Sequence, residues 1–285
     1  MQGKPLVSVL MTAYNRAAYI GNAIESVLAN TYENFELIIV DDCSTDNTLE
    51  VIEKYCQQDS RIKVYKNETN LGDYPNRNKA ASYANGKYLK YCDSDEELYS
   101  FCLSIMVDSM EECCDAALGL SHVHDVRRLP YTVSSEEAYK LHYFNKYFFH
   151  NAPTSTIIRR AEFEKEGGFR NIRHRGDYDL WLRLAAKYPV ARVPAFLTWN
   201  FDHEGQERSK NYLYKKALTH NISIQALQEE HCPLTAEDRE KARKMWRRGF
   251  IRQSIFGNIL KMNFKEVFYL KKECNIQLSE ILSAF

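Results

Sequence analysis

The chain has 285 residues, which is enough for one large domain with an appendage or for two domains. Its 38 basic and 38 acidic residues cancel, so the overall charge gives no reason to expect a nucleic-acid partner. No apolar run approaches the ~20 residues of a membrane span. No signal peptide is visible and the eight cysteines form no C-x-x-C pair, so we expect a cytoplasmic protein with reduced thiols and no structural zinc.

Strand-like and helix-like segments alternate in the first third of the chain. Short apolar or alternating runs at 6–11, 35–40, 61–65 and 86–90 predict four strands. Between them, apolar side chains recur at helical spacing, which predicts three connecting helices. The resulting β-α-β-α-β-α-β order predicts an α/β fold with a mostly parallel sheet and right-handed crossovers.

The pattern is looser after the fourth strand. Further strands are predicted at 116–126 and 154–158, with an extended segment at 190–200. A helix with a strong apolar face is predicted at 177–187. From residue 212 onward the composition becomes helical and rich in lysine and arginine.

Polar side chains gather where the first, second and fourth strands end. Thr12 and Tyr14 follow the first strand, Asp42 the second, and Asp93 and Asp95 the fourth. All strands of a parallel sheet end at one edge, so these residues are expected to share a crevice. Two neighbouring carboxylates repel each other unless a positive charge lies beside them. A Mg²⁺ or Mn²⁺ ion carrying a phosphorylated ligand fits this pair, and a solvated acidic turn is the alternative.

Six segments, in this order and spacing, resemble one known family. They are Val7-Ser8-Val9 through Tyr14-Asn15-Arg16, Val40-Asp41-Asp42-Cys43-Ser44-Thr45-Asp46, Asn70-Leu71-Gly72 through Arg77-Asn78, Asp93-Ser94-Asp95, Gly167-Gly168-Phe169, and Gly176-Asp177-Tyr178-Asp179-Leu180-Trp181. The chain resembles the inverting, nucleotide-sugar-dependent family 2 glycosyltransferases with the GT-A fold over roughly residues 5–210.

The resemblance implies a Rossmann-like, mostly parallel sheet flanked by helices, with a helical C-terminal extension. It implies a catalytic domain over residues 1–211, in which 1–100 form the nucleotide-binding half and 101–211 the acceptor half. Residues 212–285 then form the helical region. His122, His124 and the aromatic run 139–149 are candidates for the acceptor side, although most of those rings are expected to pack in the core.

The first group of site residues that the resemblance implies would hold the nucleotide. Thr12 and Tyr14 match positions that contact it, with Tyr14 beside the base. Asp42 matches the aspartate that accepts the imide N–H of uracil, which would exclude cytosine because its ring nitrogen lacks that proton. Arg77 matches an arginine that approaches the base or the phosphates, and an exposed helix arginine is its alternative. Asp41 is expected to be structural.

The second group would hold the ribose and the metal. Asp93 matches the first aspartate of the family's D-x-D, which holds the ribose, and Asp95 matches the second, which binds Mn²⁺ or Mg²⁺ on the diphosphate. Where the family often has another aspartate, this chain has Glu96. His203 lies where many members place a loop over the diphosphate, so it is a candidate for the metal or a phosphate and otherwise a solvated side chain.

Asp177 matches the family's catalytic base, and its other interpretation is a helix cap. The family commonly has an acid just before the base, and Gly176 stands there instead. Asp179 is the alternative base, but its place on the helix points it away from Asp177. The base would take a proton from an acceptor hydroxyl during a single in-line displacement that inverts the anomeric carbon.

The implied reaction moves one sugar from a nucleotide-sugar, most simply a UDP-sugar, to a hydroxyl of a glycan or lipid-linked acceptor in bacterial surface polysaccharide synthesis. Processive members carry Q-x-x-R-W, which residues 206–209 do not match, so single transfer is favoured. A sugar-phosphate nucleotidyltransferase is the first alternative, but residues 11–16 lack the glycine-rich loop expected for a triphosphate. Two further alternatives are a non-catalytic domain with an acidic binding pocket and a glycosidase with two catalytic carboxylates.

The segment 239–256 carries seven basic residues and one acidic residue. Its apolar residues recur at helical spacing, which predicts a basic amphipathic helix. Such a helix suits peripheral contact with the inner face of the cell membrane. The alternative is that Met245, Trp246 and Phe250 pack on the catalytic domain, and Gly249 favours this packing because it weakens an isolated helix.

Overall fold

The structure is a computed structural model, and it describes residues 3–122, 127–145, 148–200 and 212–284. Contacts between residues divide the chain into two compact units. The sheet unit contains residues 1–134 and 149–202, and the helical unit contains residues 135–148 and 203–285. The boundary predicted at residue 211 lies outside the described residues and stays a prediction.

The strands of the sheet unit are short and mostly buried. They are β1 (Val7–Ala13), β2 (Phe35–Asp41), β3 (Ile62–Lys66), β4 (Tyr88–Tyr91), β5 (Glu96–Leu98), β6 (Leu118–His122), β7 (Tyr131–Val133), β8 (Thr156–Arg159), β9 (Val190–Pro194) and β10 (Thr198–Asn200). The four strands predicted in the first third of the chain are confirmed as β1 to β4.

Helices connect these strands. In the sheet unit they are α1 (Ile20–Leu28), α2 (Thr48–Cys56), α3 (Asp73–Ala81), α4 (Cys102–Glu112), α6 (Arg160–Lys165) and α7 (Gly176–Lys187), and α5 (Ser135–Lys140) belongs to the helical unit. Each of the first three links a pair of consecutive strands, so the predicted β-α-β-α-β-α-β order is confirmed.

Eight strands form one mixed sheet in the order β3-β2-β1-β4-β8-β6-β9-β7. The first four run parallel, and β8 lies antiparallel to both β4 and β6. Strands β6 and β9 are parallel, whereas β7 pairs antiparallel with β9. Because β1 lies between β2 and β4, the ends of these three strands are neighbours at the carboxyl edge of the sheet.

The main core lies between one face of the sheet and helices α1, α2 and α4. Val7, Val9 and Met11 of β1 point into this core. Leu10 points the other way and is also fully buried, because both faces of a parallel sheet are covered. The continuous apolar strands of the sequence follow from this two-sided burial.

Several details differ from the sequence prediction. The segment predicted as one extended piece at 190–200 forms two strands, of which β10 pairs antiparallel with β5 in a separate small sheet. The strand predicted at 116–126 is described as β6 up to His122, and residues 123–126 lie outside the described residues. The three-residue strands β5 and β7 were not predicted, because strands this short carry no periodicity.

The helical unit consists of helices around a small apolar core. Helix α5 continues into a π-helical turn at Leu141–Asn145, and a second such turn lies at Ile251–Phe256. The other helices are α8 (Tyr212–Ala226), α9 (Ala236–Phe250), α10 (Gly257–Leu260), α11 (Phe264–Glu273) and α12 (Leu278–Ser283). Among the described residues, no helix is long and apolar enough to cross a membrane.

Candidate active site

The loops that follow β1 and β2 hold each other in place. The backbone N–H of Asn15 donates to Ser44 Oγ at 2.9 Å, and the N–H of Thr45 donates to Asn15 Oδ1 at 2.8 Å. The N–H of Arg16 donates to Thr48 Oγ1, the first residue of α2, at 2.7 Å. Asn15 adopts a φ of 52°, a strained conformation that such fixed loops sustain. The first two strand ends therefore form one rigid rim.

Thr12 and Tyr14 lie on this rim. Thr12 is half-buried in β1 and paired with Val40 of β2. Tyr14 comes after the strand, and 46% of it is exposed. A large exposed aromatic ring on a rigid rim offers a flat surface on which a base can pack, and the contact of Tyr14 with the base stays a prediction.

Asp42 is buried and holds the turn that leads into α3. Its Oδ1 accepts hydrogen bonds from Asn67 Nδ2 and from the N–H of Leu71, both at 2.8 Å. Its Oδ2 accepts one from the N–H of Gly72 at 2.9 Å. Gly72 has a φ of 85°, which glycine adopts without strain. A carboxylate has about four acceptor positions, so three bonds leave room for one further donor on Oδ2.

Asp41 is fully buried, in agreement with its predicted structural role. Its Oδ2 accepts a hydrogen bond from the N–H of Ser44 at 3.0 Å. Its Oδ1 is buried and has no hydrogen-bond partner within the described part of the chain. The neighbouring aspartates thus differ, because Asp42 ties the second strand to α3 whereas Asp41 ties the strand to its own loop.

Arg77 joins α3 to the aspartate pair. Its Nη1 lies 2.8 Å from Asp93 Oδ1, and its Nε donates to Asp73 Oδ1 at 2.7 Å. Burial alone would lower the pKa of Arg77, but the charges of Asp93 and Asp73 outweigh it and raise that pKa well above its ordinary value. Arg77 is therefore a buried, permanently positive group beside Asp93, which contradicts its alternative interpretation as an exposed helix arginine.

Asp95 also has an arginine partner. Its Oδ2 lies 3.2 Å from Nε of Arg16, a residue that the sequence analysis did not single out. The position of Arg16 just after the first strand was the available signal. Each aspartate of the pair thus has a positive side chain beside it. These positive charges offset the repulsion between the two carboxylates that their spacing in the sequence predicts.

Glu96 completes the acidic cluster. Burial, together with the negative charges of Asp93 and Asp95, raises the pKa of Glu96 to about 7. Its Oε2 is buried without a hydrogen-bond partner among the described residues. Glu96 therefore loses its proton less readily than an exposed glutamate does.

The two aspartates suit a cation that a second ligand helps to hold. Their side chains are 26% and 15% exposed, so both can reach a bound group. In the described ranges, no three His, Cys, Asp or Glu side chains are arranged to hold a metal by themselves. Mg²⁺-type ions are commonly held by one or two carboxylates together with phosphates and water, so the residues present fit such an ion.

Asp177 lies in the first turn of α7. Its Oδ1 accepts hydrogen bonds from the Tyr74 hydroxyl at 3.0 Å and from the N–H of Tyr178 at 2.8 Å. Burial raises the pKa of Asp177, although these two donors and the positive Arg175 and Arg77 act against it. A carboxylate with a raised pKa is a stronger base and suits proton removal near neutral pH.

Asp179 is occupied with structural bonds. Its Oδ1 accepts from Arg170 Nη1 at 3.1 Å and its Oδ2 accepts from Arg183 Nε at 2.8 Å. The residue is only 5% exposed. Because both oxygens are held by arginines inside the sheet unit, the contacts favour Asp177 over Asp179 as the base.

Helix α3 brings the predicted residues together. Asp42 holds the turn before the helix, Arg77 on the helix pairs with Asp93, and Tyr74 on the helix binds Asp177. Tyr74 was not predicted as a site residue, and its contact with a residue 103 positions away has no local sequence signal. His203, the other metal candidate, lies outside the described residues, as does His124.

The family model named glycosyl transferase family 2 matches residues 8–167. The chain belongs to this family. This membership confirms the resemblance to family 2 glycosyltransferases that the six sequence segments indicate. The residues at the strand ends are consistent with glycosyltransferase activity.

Relatives agree with this assignment. TuaG of Bacillus subtilis, a protein named for teichuronic acid biosynthesis, is 34% identical over 193 residues, which are 65% of this chain and 73% of TuaG. WfaP of Escherichia coli is 33% identical over 187 residues, 66% of this chain and 73% of its own length. Its name describes a β-1,3-glucosyltransferase that uses UDP-Glc and an α-D-GlcNAc-diphosphoundecaprenol acceptor.

The fold also has solved relatives. The crystal structure of Staphylococcus aureus TarS, residues 1–349, in complex with UDP-GlcNAc superimposes with a TM-score of 0.68 at 17% identity. The match covers 93% of this chain and 90% of that one. The mixed eight-stranded sheet flanked by helices is therefore a GT-A fold, as predicted, and the helical C-terminal region is present as well.

Proposed function

We propose that this glycosyltransferase moves one sugar from a UDP-sugar to a hydroxyl of a glycan or lipid-linked acceptor in surface polysaccharide synthesis, with inversion at the anomeric carbon. The observation that carries the proposal is helix α3 together with the turn before it: the turn binds Asp42, and the helix contacts Asp93 and Asp177. The names of TuaG and WfaP support the polysaccharide and the lipid-linked acceptor.

The nucleotide would lie on the rim formed by the first two strand ends. Tyr14 would pack beside the base, and Thr12 would line the pocket beneath it. Asp42 Oδ2 has one acceptor position left, which suits the imide N–H of uracil. Arg77 would hold Asp93 in place for the ribose and add positive charge near the phosphates.

Asp95 would be the protein's ligand for Mn²⁺ or Mg²⁺, together with diphosphate oxygens. The bound cation would supply positive charge that stabilises the departing nucleotide diphosphate. Arg16 lies against the same carboxylate, so it would hold Asp95 in position. Asp177 would accept the proton of the attacking hydroxyl at its free oxygen.

A donor screen tests this proposal. With Mn²⁺ present, we expect the protein to hydrolyse one or more UDP-sugars to UDP and free sugar, faster than GDP- or dTDP-sugars. UDP is also expected to bind at least about tenfold more tightly than CDP, because CDP would leave the Asp42 acceptor unpaired. Release of UMP and sugar 1-phosphate instead of UDP and free sugar would favour the nucleotidyltransferase alternative and contradict the proposal.

Contacts of the predicted basic helix bear on the membrane proposal. Trp246 of α9 packs on the rings of His142 and Tyr143, at 5.1 and 5.4 Å between ring centroids. Arg247 forms an ion pair with Glu280 of α12 at 2.7 Å. These side chains are engaged within the helical unit, so they favour packing over membrane contact for this helix.

A different surface of the helical unit suits an anionic membrane better. It consists of exposed apolar side chains around the start of α11, here called the α11 apolar surface. Its members are Leu260, Met262, Phe264 and Phe268, which are between 61% and 84% exposed. Four lysines and one glutamate lie between residues 260 and 272. Exposed rings flanked by lysines are what an interfacial contact requires, so we propose the membrane contact there instead of at 239–256.

Sedimentation with vesicles tests this contact. The protein is expected to bind vesicles that contain anionic lipid at low salt, and to bind less at high salt. A Phe264→Ser/Phe268→Ser variant should lose most of this binding. The matched control is Leu278→Ser/Leu282→Ser, which removes two exposed apolar side chains of α12. Equal binding by both variants would contradict the assignment to the α11 apolar surface.

A further inference from the structure

Tyr74 lies at the head of α3 and faces the candidate base. It is 4% exposed, and its ring packs on Phe169 at 5.3 Å between centroids. Its hydroxyl donates a hydrogen bond to Asp177 Oδ1 at 3.0 Å. Helix α3 therefore supplies a hydrogen-bond donor to a carboxylate on α7, a helix that begins about one hundred residues later in the chain.

Gly176 leaves the space that the tyrosine ring fills. A Cβ atom added to Gly176 would lie 2.8 Å from two ring atoms of Tyr74 and 2.7 Å from the Arg170 carbonyl oxygen. No side chain fits there without displacing the ring or the backbone. Where the family commonly has an acidic side chain, this chain thus has Gly176 with the ring of Tyr74 packed against it. The group next to Asp177 is therefore the Tyr74 hydroxyl, a hydrogen-bond donor, and not a second carboxylate.

The Tyr74 hydroxyl keeps its proton. Burial raises the pKa of Tyr74, and the negative charges of Asp177 and Asp73 raise it further. A protonated hydroxyl donates to an ionised carboxylate, and this donation stabilises the charged form of Asp177. The other charged groups that act on Asp177 are Arg175 and Arg77, both positive.

The two oxygens of Asp177 therefore differ. Oδ1 accepts from Tyr74 and from the N–H of Tyr178, whereas Oδ2 receives no hydrogen bond from the described residues. Because a carboxylate is planar, fixing Oδ1 with two donors also fixes the direction in which Oδ2 points. The oxygen left open is the one able to accept a proton from a substrate.

We propose that Tyr74 is a positioning residue for the glycosyl transfer, which orients Asp177 so that Oδ2 receives the acceptor proton. This inference rests on the function proposed above. Tyr74 also lies between the residues proposed to bind the donor nucleotide. Asp42 holds the turn before it, and Arg77 lies one turn further along α3. The same helix would set the position of the donor nucleotide and of the base.

Tyr74→Phe tests the proposal, since it removes the hydroxyl and keeps the ring. With a UDP-sugar that the wild type hydrolyses in the presence of Mn²⁺, kcat is expected to fall about tenfold while the donor KM stays nearly unchanged. The acid limb of the rate profile should move to higher pH, because loss of the donated hydrogen bond raises the pKa of Asp177 further. A merely structural role would not move this limb.

Tyr55→Phe is the matched control. The Tyr55 hydroxyl donates to Glu25 at 2.6 Å in the same unit, so this variant also removes a tyrosine–carboxylate hydrogen bond. It should keep the wild-type kcat and pH profile. If Tyr74→Phe, with an unchanged melting temperature, also keeps both, the proposal is wrong.

A second variant pair covers the case in which Tyr74→Phe folds poorly. Gly176→Ala should displace the Tyr74 ring and lower kcat, whereas the Cβ of Gly249→Ala meets no atom within 4 Å and should leave kcat unchanged. A wild-type kcat in folded Gly176→Ala would contradict the proposal. Failure of the proposed function looks different, because it would appear as absent hydrolysis in the wild type or as a mild effect of Asp177→Asn.

Discussion

Asp177→Asn is expected to lower sugar transfer by about 10²–10⁴-fold, the usual range for loss of a general base. Binding of the UDP-sugar should stay nearly intact, because Asp177 contacts Tyr74 and its own helix and none of the residues proposed to hold the nucleotide. The amide has the same shape as the carboxylate but cannot take a proton from the acceptor hydroxyl. UDP release and UDP-sugar titration measure the two quantities separately.

The pH dependence of the wild type belongs to the same prediction. Burial raises the pKa of Asp177, so its ionised form is lost on the acid side at a higher pH than for an exposed aspartate. The base works only when ionised, and the rate should therefore fall as the pH drops through this raised value. Asp177→Asn should remove that acid limb from the residual rate.

Asp179→Asn is the matched control for Asp177→Asn. It changes a carboxylate of the same helix that is bound by Arg170 and Arg183. The expected result is a lower melting temperature, because the variant weakens a buried ion pair, with a nearly normal rate in the folded protein. A severe loss of rate in Asp179→Asn together with a mild effect of Asp177→Asn would show that Asp179 is the base.

Asp95→Asn is expected to abolish Mn²⁺-dependent transfer while the fold survives. The variant keeps the size of the side chain but removes the charge that a hard divalent cation prefers. Its cost to stability should be small, because the ion pair with Arg16 is partly exposed and such pairs contribute about 1 kcal/mol or less. The measurement is UDP release as a function of Mn²⁺ concentration.

Glu97→Gln provides the control for Asp95→Asn. Glu97 lies two residues further along, in β5, where it pairs with Trp199 of β10. It carries the same charge in the same region but belongs to no predicted site, so its variant should respond to Mn²⁺ as the wild type does. Mn²⁺-dependent transfer that persists in Asp95→Asn would remove Asp95 from the metal site.

The fold of the first third of the chain could be predicted because its signals are local. Apolar runs, helical spacing and polar strand ends recur there at short range, and β1 to β4 lie where these signals place them. The parallel arrangement then brings Asp42 and Asp93 to one edge of the sheet. This inference requires no knowledge of side-chain contacts, because the parallel topology alone places the carboxyl ends of the strands side by side.

Other parts of the site depend on contacts between distant residues. The bond between Tyr74 and Asp177 joins residues far apart in sequence, and the ion pair of Arg16 with Asp95 spans the first and fourth strand ends. Side-chain spacing does not encode such pairs. The three bonds to Asp42 are also invisible in the sequence, because two of their donors are backbone groups.

The helical unit shows the same limit. Residues 135–148 belong to it, although the sequence offers no sign that they separate from the strands around them. Trp246 fits a membrane anchor by periodicity, yet its ring packs on His142 and Tyr143. An amphipathic pattern states that one face is apolar, but it does not state what covers that face.

The central claim is that the strand-end edge binds a nucleoside diphosphate together with a divalent cation through Asp95. Thermal unfolding of the full chain tests it most directly, because a ligand that binds only the folded state raises the melting temperature. UDP with Mn²⁺ is expected to raise the melting temperature of the wild type, whereas UDP alone is not, and Asp95→Asn should show no Mn²⁺-dependent increase. An equal increase with UDP alone, or an unchanged Mn²⁺-dependent increase in Asp95→Asn, would contradict the claim.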